Sequence, residues 1–313
     1  MKAAVIEHYG APEEFKIKEL PRPTIDKGEI LIRNRASSVN PIDTMVRRGL
    51  TKLITGLIGD QLLGSDFSGT VLATKSKRFK VGDEVFGLNS AIKGGSYAEE
   101  IVAEAEHAAL KPATLSFAEA ATLPLVGLTA WQGLVDDGKL RAGDRILITG
   151  CTGGVGYVAV QIAKALGAHV TGTCSAKHAA FARSLGTDEV IAYDQAEVPK
   201  NQKFDLIFDA SGHYTISDMK ENLTKDAMFV TTKAGADSLK GVLDAATDMI
   251  FQKRMKIVKM DMDDDDLEKL AELVQEGKLK PHVAKIFPLE HIAQAHHMLE
   301  KGGFTGKIAI SMD

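Results

Sequence analysis

Hydrophobic and polar positions fall into two textures along the chain. Up to about residue 112 the apolar residues come in short β-type runs, at 29–33, 69–74 and 83–86, separated by Gly and Pro. Such punctuation predicts an irregular β-rich module. From Leu115 onward short continuous apolar runs alternate with long helical periods, the pattern of βαβ units whose parallel strands are buried on both faces. Six strands are predicted there, at Arg145–Thr149, 169–173, 190–193, Phe204–Asp209, 227–232 and 256–260, which is the count of a doubly wound dinucleotide fold. Between the first two, Val155, Val158, Ile162, Ala163 and Leu166 make one helical stripe that Gly167 ends. Residues 289–301 read as an amphipathic segment and 307–310 as a last apolar run that returns to the first module. The expected division is a β-rich domain at 1–121, completed by 288–313, and an α/β domain at 122–287.

Composition then works by exclusion. With 313 residues, 44% hydrophobic and 26% charged, the chain is neither polar enough for disorder nor apolar enough for a bilayer. Its 38 basic and 42 acidic residues leave a net charge of -4, which offers no general attraction to nucleic acid or an anionic membrane. Cys151 and Cys174 are too few for a disulfide framework or a four-sulfur zinc site and fit a reducing compartment. The first residues lack the apolar core of a secretory signal, and no apolar stretch approaches the ~20 residues of a membrane span. A cytoplasmic protein with a small-molecule partner is expected.

The apolar run ending at Thr149 leads directly into Gly150, Cys151, Thr152, Gly153, Gly154, Val155 and Gly156, and then into the helical stripe. Glycines let backbone N–H groups approach a pyrophosphate, and a helix N-terminus carries about half a positive charge toward it. A flexible turn is the bland alternative; the strand, loop, helix, strand order favours cofactor binding. The spacing is Gly150-x-x-Gly153-x-x-Gly156, a variant of the usual pattern. No Asp or Glu occurs between Tyr157 and Thr187, so the usual acidic partner of a ribose 2'-hydroxyl is missing. Ser175 and Lys177 stand in its place and favour NADPH over NADH, although each also reads as an ordinary helix-start residue. Tyr193 is a further candidate for the same phosphate or a half-buried strand-end residue. Ser211 and Gly212 after the fourth strand, with Thr231 and Thr232 closing the fifth, are expected cofactor contacts.

The residues at 39–43 (Val-Asn-Pro-Ile-Asp), 64–69 (Gly-Ser-Asp-Phe-Ser-Gly), 81–87 (Val-Gly-Asp-Glu-Val-Phe-Gly) and 127–130 (Gly-Leu-Thr-Ala), taken with the glycine loop, carry a resemblance. They resemble the zinc-independent quinone oxidoreductase, or zeta-crystallin-like, branch of the medium-chain dehydrogenase/reductase superfamily. The resemblance implies a GroES-like catalytic domain built from both chain ends, a Rossmann domain between them, an active site in the cleft and a homodimer. Zinc alcohol dehydrogenases of that superfamily carry a cysteine where this chain has Asn40, and Gly-His-Glu where it has Gly64, Ser65 and Asp66. Neither replacement leaves a thiolate or imidazole, so a site without metal is expected. His291, His296 and His297 lack the i, i+4 spacing of a zinc pair and read as residues of a solvated helix. The acidic run 263–266 reads as a helix start before Leu267, Leu270 and Leu273, with cation binding as the alternative.

Without a Lewis acid the acceptor must already be electrophilic, which points to quinones and α,β-unsaturated carbonyls. By resemblance Asn40 and Thr129 are candidates to hydrogen-bond the nicotinamide amide or the substrate oxygen, with Asp43 orienting the loop. A turn asparagine before Pro41 and a helix threonine are the plain alternatives. Many relatives carry a tyrosine two residues after the aspartate; here Met45 stands there and cannot donate a proton. Residues 50–63 read either as an apolar mouth or as core packing. Cys151 and Cys174 end neighbouring strands, as a redox pair or as small buried fillers. An enoyl-thioester or alkenal reductase and a non-catalytic NADPH-binding protein are the competing readings.

Overall fold

The structure, a computed structural model, describes residues 1–52, 56, 60–90, 94–232, 254–262 and 264–312. The chain forms two units, one of Met1–Leu125, Met262–Gln275 and Pro281–Asp313, the other of Val126–Asp261 and Glu276–Lys280.

In the first unit Val283–Pro288, Lys307–Ser311, Glu29–Val39, Asp66–Thr74, Glu84–Leu88 and Ala108–Leu110 neighbour one another in that order. Glu100–Glu104 pairs with the first half of Glu29–Val39, and Lys307–Ser311 with its end. The 11-residue strand Glu29–Val39 is therefore paired on both edges, which explains its nearly unbroken burial. Ile30, Ile32, Phe67, Val71 and Val85 form one core cluster; Ile6, Val39, Leu63, Tyr97, Ile308 and Ile310 form another, closed by the last strand. A smaller sheet of Phe15–Glu19, Lys2–Ile6 and Gln61–Leu62 completes the unit. The helix Asp264–Gln275, counted with the second domain from sequence, packs here beside Ala108–Leu110 and buries Leu267 and Leu270 completely. Asp263 lies outside the described residues, as do 53–55 and 57–59 of the apolar segment.

The second unit has six strands: β1 (Arg145–Thr149), β2 (His169–Cys174), β3 (Glu189–Ala192), β4 (Phe204–Asp209), β5 (Leu223–Thr231) and β6 (Met255–Ile257). Their order is β3-β2-β1-β4-β5-β6, all parallel, so the doubly wound Rossmann sheet is present. The chain is thus an α/β protein whose first unit is β-rich. The order reverses between β1 and β4, and the C-terminal ends of those strands border the position where such sheets take a ligand. The helix α1 (Gly154–Ala165) buries Val158, Ile162 and Ala163 as the stripe requires, but Tyr157, Ala159 and Val160 are equally covered. Burying each large apolar side chain contributes about 1.5–3 kcal/mol.

Some boundaries move. β3 ends at Ala192, so Tyr193 lies just past the strand and is 58% exposed. β5 starts at Leu223 and ends at Thr231, leaving Thr232 beyond it, and β6 stops at Ile257 rather than residue 260. Among the described residues no helix is long and apolar enough to cross a membrane.

Candidate active site

Strand Glu29–Val39 runs into Asn40, and Pro41 starts the helix Pro41–Arg47, as its fixed φ and missing N–H favour. Asp43, in the first turn, accepts the Asn40 backbone N–H at 2.8 Å. The Asn40 side chain is fully buried. Its amide nitrogen donates to Asp66 Oδ2 at 2.8 Å, and its oxygen accepts from Lys307 Nζ. Both ends of the amide are thus spent inside the unit rather than offered outward. Lys307 also donates to the Val39 carbonyl at 2.9 Å and lies 3.9 Å from Asp66 Oδ2. Asp66 further accepts from the Ser38 hydroxyl and, at 2.8 Å, from the Leu125 backbone N–H.

Tyr97, which sequence reasoning did not single out, donates its hydroxyl to Asp43 Oδ2 at 3.0 Å. It brings a phenol to the aspartate from a different strand connection than the position held by Met45. A sequence signal exists in Gly64: its φ of +85° suits glycine, and a Cβ there would lie 2.5 Å from the Tyr97 ring. Burial pushes the Asp43 carboxyl up to about 7, pushes the Tyr97 phenol up, and pulls the Lys307 ammonium down. His296, expected on a solvated helix, is instead fully buried against Phe15 and Tyr97, because Ile292–Lys301 turns that face inward. Desolvation holds its imidazole down to about 3. Arg47 Nε donates to His296 Nδ1 at 3.4 Å.

In the second unit, β1 ends at Thr149 and Gly150 turns the chain with φ +60°. A Cβ on Gly156 would lie 2.1 Å from the Gly150 carbonyl oxygen, so only glycine lets α1 cross the loop this closely. Gly153, the residue before α1, has an ordinary φ of -79° and contact-free space but for Gly150 O at 3.4 Å. Gly154 and Val155 begin the helix half-buried, and Thr152 is buried in the loop. This leaves a backbone cradle at the N-terminus of a 12-residue helix, suited to a dinucleotide pyrophosphate.

Asp209, at the end of β4 and fully buried, ties the neighbouring strand ends together. It accepts from the hydroxyls of Thr149 at 2.6 Å, Ser211 at 2.7 Å and Thr231 at 2.9 Å, and from the Tyr214 backbone N–H at 3.2 Å. Ser211 and Thr231 therefore have their hydroxyl protons committed to this carboxylate. Thr232 Oγ1 lies 3.3 Å from the Asp209 carbonyl, and Gly212 turns with φ +67°. At the end of β2, Ser175 Oγ meets His178 Nδ1 at 3.3 Å, and Lys177 is exposed. The backbone N–H of Ala176, which the sequence offers to a phosphate, donates to Asp194 Oδ1 at 2.8 Å. Asp194 comes from the segment after β3, beyond the acid-free stretch 157–187. Thr129 sits 8% exposed on the helix Pro124–Gln132, within the second unit.

Family models match both parts of the chain: an alcohol dehydrogenase GroES-like domain over residues 26–113 and a zinc-binding dehydrogenase over 185–310. A chloroplast envelope quinone oxidoreductase homolog of Arabidopsis thaliana is 31% identical over 306 residues, 93% of this chain and 92% of the relative. The chain belongs to the quinone oxidoreductase family of medium-chain dehydrogenases/reductases. A chloroplastic NADPH-dependent alkenal/one oxidoreductase of the same plant is 32% identical over 324 residues, 99% of this chain and 79% of the relative. The solved quinone oxidoreductase of Coxiella burnetii superposes with a TM-score of 0.88 at 30% identity, covering 100% of this chain and 99% of that one. The protein is an oxidoreductase, and its second unit is a nicotinamide-dinucleotide fold.

Zinc-binding dehydrogenases, matched over residues 185–310, hold a metal for which this chain lacks the donors among its described residues. At the three family positions where the zinc branch carries Cys, His and Glu, this chain has Asn40, Ser65 and Asp66, all fully buried. A lysine ammonium already lies beside two of them. Two neutral oxygen or amide donors and one carboxylate facing an ammonium do not fit zinc. Among the described residues no three His, Cys, Asp or Glu side chains gather as a metal set.

Proposed function

We propose that this member of the family is an NADPH-dependent oxidoreductase that works without a metal and passes a hydride to a quinone or an α,β-unsaturated carbonyl. The observation that carries the reading is the cradle between β1 and α1, where Gly156 admits the helix against Gly150 and Gly153 keeps the approach open. Bound there, the reduced nicotinamide supplies the hydride. The loop N–H groups of Thr152, Gly154, Val155 and Gly156 hold the pyrophosphate against the helix N-terminus, while Gly150 and Gly153, whose N–H groups go to Thr173 Oγ1 and to Gly150 O, shape the turn. Ser175, Lys177 and Tyr193 receive the 2'-phosphate, while Ser211, Gly212, Thr231 and Thr232 shape the strand edges around Asp209. Asn40 and Asp43 keep the catalytic corner rigid through Lys307, Asp66 and Tyr97; Thr129 is the candidate to meet the nicotinamide amide or the acceptor oxygen. With Lys307 as the local cation, acceptor polarisation by zinc has no donor set to rest on, and a conjugated acceptor is the chemistry that needs none. The named activities of the two plant relatives, quinone and alkenal/one oxidoreductase, support the same acceptor classes. The reading includes a homodimer and a cytoplasmic location, both open to sizing and localisation measurements.

A second reading, NADH as donor, is favoured by one observation. Asp194 already takes the Ala176 N–H and places a carboxylate next to Ser175. Titration of the protein with both nucleotides, followed by 340 nm absorbance with 1,2-naphthoquinone, an alkenal and trans-2-enoyl-CoA, tests both. Tighter NADPH binding that Lys177→Glu weakens selectively supports the first; tighter NADH binding that Asp194→Asn weakens supports the second. Oxidation with the thioester alone moves the enzyme to the enoyl reductases, and binding without oxidation of either nucleotide removes the catalytic claim.

A further inference from the structure

Two thiols in the second unit are unused by that mechanism. Cys151 is the second residue of the glycine loop and Cys174 the last residue of β2; both are free and buried. The Cys151 N–H donates to the Thr173 carbonyl at 2.9 Å, which sets residue 151 beside Cys174 at the ~5 Å spacing of neighbouring strands. Its side chain turns over β2: a Cβ on Gly172 would lie 2.7 Å from Cys151 Sγ. Gly172 and Cys174 share that face of the strand, so the bare backbone at 172 is what lets the two sulfurs meet, and the thiols are hydrogen-bonded.

We propose that Cys151 and Cys174 form a peroxide-oxidised disulfide site that ties the phosphate loop to the end of β2 and thereby weakens nucleotide binding. The thiol chemistry stands by itself; its effect on the nucleotide rests on the reading above. The hydrogen bond from Cys151 lowers the Cys174 thiol, against the raising effects of burial and Asp194 and with Arg183 adding to it, while the same bond and burial raise the Cys151 thiol. Cys174 is accordingly the attacking sulfur. It displaces hydroxide from hydrogen peroxide, the O–O bond breaks, and the thiol proton completes one water, leaving a sulfenic acid. Cys151 then attacks that sulfur; the S–O bond breaks, and the departing oxygen takes the Cys151 proton as a second water. Two thiols are oxidised to one disulfide while one peroxide is reduced to two waters. Closing the bond to about 2.05 Å draws Cys151 toward β2 and shifts the loop whose N–H groups face the pyrophosphate. Peroxide arises when dioxygen reoxidises a hydroquinone, so the site would restrain an enzyme whose own product cycles.

The test uses the reduced full-length protein treated with hydrogen peroxide, followed by intact mass, thiol counting and fluorescence titration with NADPH and NADH. Expected are a loss of about 2 Da, two thiols consumed, at least a fivefold rise in nucleotide Kd, and full reversal by dithiothreitol. Cys151→Ser should strand Cys174 as a sulfenic acid that dimedone captures, whereas Cys174→Ser should leave Cys151 unreactive. No disulfide in the parent protein, or a disulfide with unchanged affinity, overturns the proposal. If the reduced protein retains neither nucleotide, the functional reading fails instead, and the mass measurement still decides whether the disulfide forms.

Discussion

Replacing Gly156 by alanine adds one methyl group at the most crowded point of the nucleotide unit. The new Cβ would sit 2.1 Å from Gly150 O, 2.8 Å from its carbonyl carbon and 2.9 Å from Cys151 Cα, all backbone atoms. Gly150 O cannot retreat freely, because it accepts the Gly153 N–H at 3.0 Å and its loop is pinned by Cys151 N to Thr173 O at 2.9 Å. Overpacking costs about 1–3 kcal/mol and the strained hydrogen bond about 1 more, so a loss of about 2–4 kcal/mol is expected. For a domain of this size that lowers the Tm by roughly 4–16 °C, measurable by calorimetry and by the urea midpoint at constant slope. Gly153→Ala is the matched control: its Cβ meets only Gly150 O, at 3.4 Å, and its φ of -79° accepts any residue. It should leave the Tm within about 2 °C yet weaken nucleotide binding at least tenfold, since the methyl stands where the pyrophosphate approaches. Gly156→Ala with unchanged stability, or Gly153→Ala as the more destabilised of the two, would refute the assignment of glycine roles.

Lys307→Met leaves the buried Asp66 carboxylate without its cation and should cost about 3–5 kcal/mol in urea denaturation; adding Asp66→Asn should recover part of that, and additive losses would contradict the pairing. His296 stays neutral in the folded chain down to about 3, so below about pH 6.5 the unfolded state binds the extra proton. Stability should fall by about 1.4 kcal/mol per pH unit well below 6.5, and His296→Phe should flatten that limb of the Tm profile. Asp43, held up to about 7, works in the opposite sense: its contribution is fully present below about pH 4 and is lost as pH rises from there through 7, so Asp43→Asn should remove a decline over that window. Asp209→Asn turns a donor toward Thr149, Ser211 and Thr231; nucleotide affinity should drop together with Tm, and a drop in neither would show that the strand ends hold without this carboxylate.

The alternation of short apolar runs with helical periods was enough to place six strands, because a strand buried on both faces and a helix packed on one leave different local periods. The glycine loop was equally legible, since every requirement on it acts within seven consecutive residues. What periodicity cannot carry is which distant side chains meet. Lys307 reaches Asn40 across 267 residues only because the last strand pairs beside the end of Glu29–Val39. Asp194 reaches Ala176 because β3 lies next to β2, and His296 is buried because Phe15 and Tyr97 cover the one helix face it occupies. The sequence by itself determined the elements and the dinucleotide cradle. Sheet order and burial decided the charge balance around Asn40, Asp43, Asp66 and Lys307, because the energy of a buried polar group depends on partners that only the assembled fold brings within reach.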